Sequence, residues 1–275
     1  MLEWKVNFMH YNLNDLKVYD NWNNLLENVD IADVCTPPKW HPYYALKALE
    51  YNVNVTTEKP PGISWWLVSK LREAVKKSKA IYQCTDDNIF LEVNKMFRSI
   101  VESGEIGEVN LIHRVHGSFA RYQEALANRW FFDPEIAGGG ALMDYGSHDI
   151  ASVWFIAGYD KQNLEVKSQG IENKVKTRSI GGSYQRSRVD DDAHVKVLFE
   201  DPATKNPIIV SFETSWIEDK FRNVTVIGSE GEATDFRDEN GEHWIKIMRK
   251  GFGHKTQKVP QNMIQQTHRG LQDFV

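Results

Sequence analysis

Ile31-Ala-Asp-Val-Cys-Thr36, stopped by Pro37-Pro38, and Val53-Asn-Val-Thr-Thr57, followed by Glu58-Lys59-Pro60, are the stretches that decide the fold. The first is a short apolar run ended by two prolines, the pattern of a strand buried in a parallel sheet. The second alternates at period two and is rich in β-branched residues. Between them, His41 to Tyr51 sets Tyr44, Ala45, Ala48 and Leu49 at helical spacing. After Pro60-Pro61-Gly62, Ser64 is placed to cap a helix running to Lys77, with Leu67, Val68, Leu71 and Val75 on one face. Ala80-Ile-Tyr-Gln-Cys84 then reads as a third strand. Strand, helix, strand, helix, strand with short connections predicts a doubly wound parallel sheet.

Upstream, Met1 to Val29 holds room for one strand and one short helix over Trp22 to Glu27. Downstream, a helix is expected from Ile89 to Glu102, ended by Gly104, then a strand from Val109 to Phe119. A second helix should span Ala141 to Ala157, closed by Gly158. Strands follow at Leu164–Val175, Ala193–Phe199, Pro207–Trp216, Asn223–Ile227 and His243–Met248, with a turn at Gly228-Ser-Glu-Gly231. Long strands without intervening helices argue for a largely antiparallel sheet. The expected class is therefore α/β: an incomplete parallel sheet in residues 1–86, then an α+β domain over 87–275 with a large, mostly antiparallel open sheet. Thr267 to Val275 reads as the opening of a further helix.

The bulk properties fit two domains, or one large one, each with its own core. There are 275 residues, 41% hydrophobic and 26% charged, with a formal charge of −5. That charge offers no general attraction to nucleic acid or anionic membranes. No apolar run has the length of a membrane span, and Met1-Leu-Glu-Trp-Lys5 does not open a signal peptide. Cys35 and Cys84 are expected in buried strand ends; two thiols form no disulfide framework, and the expected location is the cytoplasm.

Three constellations can carry chemistry. Thr57-Glu-Lys-Pro60 ends a parallel strand, the edge where open α/β sheets bind ligands. A lysine there can favour an alkoxide by offsetting its charge, or it is a solvated lysine before a proline turn. Ala137-Gly-Gly-Gly-Ala-Leu-Met-Asp-Tyr-Gly-Ser-His148 puts Asp144 and His148 four residues apart on one helical face. His148 is then a general base oriented by Asp144, or the pair is structural. Gly146 between them points to a close backbone approach. The pair offers two metal ligands and no convincing third, so no metal is expected. Thr36-Pro-Pro-Lys-Trp-His41 brings His41 towards the same edge, unless His41 merely begins the next helix.

In order and spacing, these pieces resemble the Gfo/Idh/MocA oxidoreductases over nearly the whole chain. The carriers are Thr36-Pro-Pro-Lys-Trp-His41, Ala45-Leu-Lys-Ala-Leu-Glu50 with Glu58-Lys-Pro60, Glu102-Ser-Gly-Glu-Ile-Gly107, Gly138-Gly-Gly-Ala-Leu-Met-Asp-Tyr-Gly-Ser-His148 and Gly228-Ser-Glu-Gly231. The resemblance implies a Rossmann domain followed by a substrate domain that often builds homo-oligomers. It implies hydride transfer between NAD or NADP and a sugar, inositol or related polyol. Lys59 would contact the reacting hydroxyl, His148 would be acid/base and Asp144 its support. Thr36, Pro37, His41, Glu58 and Lys59 would line the cofactor.

One departure stands out. No Gly-x-Gly-x-x-Gly occurs in the chain, and the first glycine is Gly62. A phosphate loop needs glycines so that backbone amides can approach the diphosphate. The expectation is a chain truncated at its N-terminus, and at its C-terminus as well. Two alternatives stay open: a ligand-binding or assembly protein that has lost dinucleotide binding, and a lyase-like or hydrolytic reaction through transient oxidation.

Overall fold

The computed structural model describes residues 16–119, 129–180, 182–219 and 222–260. Helix α1 (Trp22–Leu26) precedes a three-stranded sheet of β1 (Ile31–Val34), β2 (Asn54–Glu58) and β3 (Tyr82–Thr85), in that order. Both pairings are parallel, with Val34 beside Thr57 and Thr57 beside Cys84. This register makes the three strands end together, so Thr36, Lys59 and Asp86 leave the sheet along one edge. Helices α2 (His41–Glu50) and α3 (Trp65–Lys77) form the connections. Ser64 caps α3 as expected, its side chain accepting the Leu67 amide. Ala45, Ala48, Leu49 and Leu71 meet Ala32, Val34 and Val55 in one core.

The helix expected from Ile89 divides in two. Leu91 is extended at φ −58 and ψ 132, so a 3-10 turn over Asp87–Phe90 precedes α4 (Glu92–Glu102). Strand β4 (Val109–Gly117) follows, then the short α5 (Pro134–Ala137) and α6 (Ala141–Ala157). The remaining strands are β5 (Gln162–Glu172), β6 (Thr177–Ile180), β7 (Ser183–Arg186), β8 (Asp192–Glu200) and β9 (Pro207–Ser215). After them come β10 (Asn223–Gly228), β11 (Gly231–Arg237), β12 (His243–Arg249) and β13 (Gly253–Lys258). Eight form one sheet in the order β13-β12-β11-β10-β4-β9-β8-β5, and β6 pairs with β7 in a separate hairpin. Only β4 and β9 run parallel within the large sheet.

Helices α4 and α6 cover one face of that sheet, packing Phe97, Ile100, Val153 and Ile156 on Ile112, Val210, Val226 and Ile247. Phe97 and Ile156 are 0% exposed, and burying each contributes about 1.5–3 kcal/mol. Gly146 belongs to this packing. A Cβ there would lie 2.8 Å from Leu142 Cδ1, one turn earlier in α6, and at ordinary contact, 3.5 Å, from Phe212 Cε2 of β9, so the glycine makes room for the Leu142 side chain. Strands β6, β7, β11 and β13 escape the sequence pattern. β7 is exposed throughout and β13 nearly so, which leaves no apolar alternation to read. The helix expected at Thr267 to Val275, and residues 1–15 of the stretch expected to hold one strand ahead of the short helix, lie outside the described residues. Among those residues no helix is long and apolar enough to cross a membrane.

Candidate active site

Helix α6 lies across the ends of β2 and β3. Adjacent strands are about 4.8 Å apart and a helical turn rises about 5.4 Å. Two groups one turn apart on α6 can therefore meet the ends of two neighbouring strands. From the end of β2, Lys59 Nζ reaches Asp144, at 2.7 Å from Oδ1 and 2.9 Å from the backbone carbonyl. From the end of β3, Asp86 Oδ1 lies 2.9 Å from His148 Nδ1. The four side chains are 11–18% exposed, enough to meet a ligand while remaining fixed.

This pairing corrects one expectation. The carboxylate on His148 Nδ1 is Asp86, while Asp144 holds Lys59. Spacing along α6 puts Asp144 and His148 on one face, but the strand ends opposite each turn determine their partners. Asp86 sits at the same carboxyl edge as Lys59, and that edge was the available signal. Asp86, Asp87 and His148 also offer three ligand atoms within 4.8 Å of one another, a possible cation geometry different from the Asp144–His148 pair. Asp86 Oδ1 is already engaged, however: besides His148 it accepts the Asn88 amide at 3.0 Å.

A cleft of about 210 Å³ opens beside Lys59, lined by Cys35, Thr36, Pro38, Glu58, Pro60, Trp130, Phe131, Met143 and Asp144 among others. Thr36, Glu58 and Lys59, expected to line a cofactor, line this cleft. Pro37 does not line the cleft; its neighbour Pro38 does. His41 is a second correction. It is 1% exposed, with Nδ1 2.8 Å from the Pro60 carbonyl and Nε2 2.6 Å from that of Thr36. It ties the β1 turn to the β2 turn from within, instead of facing a ligand. Burial and the Asp33 carboxylate raise the Cys35 thiol to about 11. Glu58 is also raised above its ordinary value, by desolvation and then by Asp33 and Asp87. Both thiols were expected to be buried; Cys35 is exposed and Cys84 half-buried.

Three glycines lead into α6, and Asp190 explains the last. Its carboxylate accepts the amides of Gly140 and Leu142, each at 2.7 Å. A Cβ on Gly140 would sit 1.8 Å from the Asp190 carbonyl oxygen. The α6 N-terminus is capped by the protein itself.

Two family models match the chain. The oxidoreductase family with NAD-binding Rossmann fold matches residues 8–85, and the GFO/IDH/MocA C-terminal domain matches residues 95–234. The chain belongs to the GFO/IDH/MocA oxidoreductase family. A D-glucoside 3-dehydrogenase of Escherichia coli K12 is 25% identical over 234 residues, covering 80% of this chain and 64% of that protein. The chain therefore spans somewhat under two thirds of that relative's length. In fold, it resembles a levoglucosan dehydrogenase in complex with NADH and levoglucosan, at TM-score 0.76 and 16% identity, over 93% of this chain and 72% of the other. An inositol dehydrogenase homolog of Azotobacter vinelandii complexed with NAD+ gives 0.71 and 18%, over 87% and 61%.

For a GFO/IDH/MocA chain, the cleft tests the fit of a nicotinamide. Pro38, Pro60, Trp130, Phe131 and Met143 supply apolar walls, while Thr36, Glu58 and Lys59 supply polar groups. That mixture suits a flat, partly polar ring. A second cleft continues from Cys35 and Thr36 past Asp20, Asn21, Trp22 and Asp33. Its carboxylates suit hydroxyl groups and repel phosphate. The described residues fit the nicotinamide end of a dinucleotide and provide no cradle for its diphosphate.

Proposed function

We propose that this chain carries the reacting centre of a dehydrogenase that moves a hydride between NAD or NADP and a hydroxyl-bearing carbon of a sugar, inositol or related polyol. The observation that carries the reading is the side-by-side arrangement of Lys59–Asp144 and His148–Asp86 at the carboxyl edge of the parallel sheet. Family membership and the sugar chemistry in the relatives' names support the substrate class.

A carboxylate only accepts hydrogen bonds, so Asp86 fixes the proton of neutral His148 on Nδ1. Nε2 is then the lone pair that takes the hydroxyl proton, and Asp86 stabilises the imidazolium that forms. Lys59 offsets negative charge developing on the oxygen. Asp144 uses two of the three ammonium N–H groups through its carboxylate and carbonyl, which aims the lysine. As the proton leaves oxygen, the carbon gives up its hydride and becomes a carbonyl. The nicotinamide, when bound against Thr36, Glu58 and Lys59, supplies the hydride acceptor.

Nicotinamide fluorescence during titration of NADH and NADPH into the chain tests binding, and a panel of glucosides, inositols and linear polyols tests turnover. Lys59→Met and His148→Gln should cut turnover far more than cofactor affinity, and His148→Gln should leave that affinity within about threefold. Wild-type turnover in both variants would remove the assigned roles. Failure to bind either nicotinamide would favour a non-catalytic ligand-binding protein, and product without net cofactor reduction would favour transient oxidation.

A further inference from the structure

We infer that Arg222, acting through Asn88, is a positioning residue for the His148–Asp86 pair; the inference rests on the reading of His148 as the proton acceptor. Arg222 stands immediately before β10, where Asn223 pairs with Val115 of β4. One of its terminal nitrogens, Nη1, donates to Asn88 Oδ1. The other, Nη2, lies 2.7 Å from His116 Nε2. A guanidinium has no acceptor, so His116 Nε2 must accept and its proton must sit on Nδ1. That proton is donated to Asp149 Oδ1 at 3.1 Å. Burial lowers the pKa of His116 against the pull of Asp149, in keeping with a neutral ring. One arginine therefore sets the tautomer of a buried histidine and, with its other arm, holds the turn after β3.

That turn carries one half of the reacting pair. Asp86 Oδ1 accepts the backbone amide of Asn88 and, on the same oxygen, the Nδ1 proton of His148. Asn88 is held at both ends: Arg222 takes its side-chain oxygen, and Asn94 Nδ2 donates to its backbone carbonyl at 2.6 Å. The other half of the pair is anchored in the same network. Asp149, next to His148, accepts from Arg114 Nε at 2.7 Å, and Ser152 meets Asn94 at 3.2 Å. The Tyr145 ring stacks on His116 with centroids 4.3 Å apart. Arg222 thus joins the loop bearing Asp86 to the network that holds the helix bearing His148. Loss of the Nη1 donor leaves the Asn88 side chain held only within its own turn, by Asp87 Oδ1 at 3.3 Å, and loosens the orientation of Asp86 that selects the His148 tautomer.

The test is the tautomer itself. In nitrogen-edited ring spectra of the 15N-labelled chain, His148 signals are identified by their loss in His148→Gln. The wild-type ring should hold its proton on Nδ1. Arg222→Met, which keeps an unbranched apolar stem and removes every donor, should let His148 exchange between both tautomers. Turnover should fall on the order of 10-fold in kcat, with KM within about twofold. Arg222→Lys, which keeps a charged donor nitrogen but loses the two-armed fork, should restore part of both signals. Should Arg222→Met lose its cooperative melt, Asn88→Ala removes the acceptor, together with the side-chain amide that donates to Asp87 Oδ1 at 3.3 Å, and should give the same tautomer shift. A His148 proton that stays on Nδ1 in the folded variants overturns the proposal, even if they melt at lower temperature. A shifted tautomer in a chain that oxidises no sugar supports the positioning role and removes the reading of the site. Oxidation with an unshifted tautomer does the reverse.

Discussion

Helix α6 carries two charged clusters, and solvent reaches only one. On one face, Asp144 and His148 meet Lys59 and Asp86 with 11–18% of each side chain exposed. On another, Asp149 meets Arg114 with 0% and 1% exposed. The exposed pairs bridge the end of the small sheet to the helix, while the buried pair lies within the unit built on the large sheet. Desolvating an ion pair offsets much of its attraction, so the buried pair adds little net stability but is costly to break. The accessible pairs keep contact with solvent and stay available to a ligand. The same helix is locked on one side so that the other can be aimed.

The largest expected effect follows from breaking the locked side. Asp149→Ala leaves Arg114 buried without its carboxylate and should lower the unfolding free energy by about 3–5 kcal/mol in denaturant titration. A loss under about 1 kcal/mol would erase the contrast between the clusters. Burial pushes the Asp149 pKa up, but hydrogen bonds from His116 and the Arg114 charge outweigh it, and the folded value lies below the ordinary one. A lowered folded pKa means stabilisation that is present above the unfolded value and lost as pH falls below it. Wild-type stability should therefore decline below about pH 4, a decline that Asp149→Ala shows in weaker form.

Lys59→Met breaks the accessible side instead. Its unfolding free energy should stay within about 1 kcal/mol of wild type, because the pair is partly solvated. Its kcat should fall by about 10²–10³, the range for loss of one charge-stabilising donor. A stability loss as large as that of Asp149→Ala would make Lys59 a structural residue. Asp86→Asn comes next, with kcat down about 10–100-fold, since the ring loses its orienting charge and not its base. Comparison with Asp144→Asn sharpens the pairing. If Asp144→Asn alone releases the His148 tautomer, the assignment of carboxylates to partners is reversed.

That assignment is where the sequence stops being readable. β1 and β2 are legible because Pro37-Pro38 and Pro60-Pro61 stop runs of β-branched and apolar residues, and α6 is legible to its end residues. Lys59, Asp144 and His148 stand out as reactive types at a strand end and on one helical face. Which carboxylate meets which base depends on the strand lying opposite each turn of α6, and no spacing within one segment encodes that. Asp86 was passed over because Thr85-Asp-Asp87 follows the third strand as polar loop, although it leaves the sheet at the same edge as Lys59. His41 escapes for the opposite reason: its turn stands at the expected sheet edge, but its ring is buried against the Thr36 and Pro60 carbonyls. β6 is four residues long and places only Ile180 in a small cluster with Phe132, Ala141, Val189 and Trp216, and β7 is exposed throughout, so no period of apolar residues marks the hairpin.

The smallest expected effect separates exposure from reactivity. Cys35 is exposed and lines both clefts, so accessibility alone predicts a reactive thiol. The nucleophile is the thiolate, though, and desolvation together with Asp33 and Glu58 raises this thiol to about 11. At neutral pH almost none of it is ionised, and a second carboxylate nearby works against any anionic form. Mass spectrometry after iodoacetamide treatment at pH 7 should find Cys35 modified no faster than half-buried Cys84, whose pKa burial also raises. Cys35→Ser should leave unfolding within about 0.5 kcal/mol of wild type. Rapid alkylation of Cys35 would mean that Asp33 and Glu58 do not bear on this edge as the geometry requires. The electrostatics assigned to neighbouring Lys59 would then need the same revision.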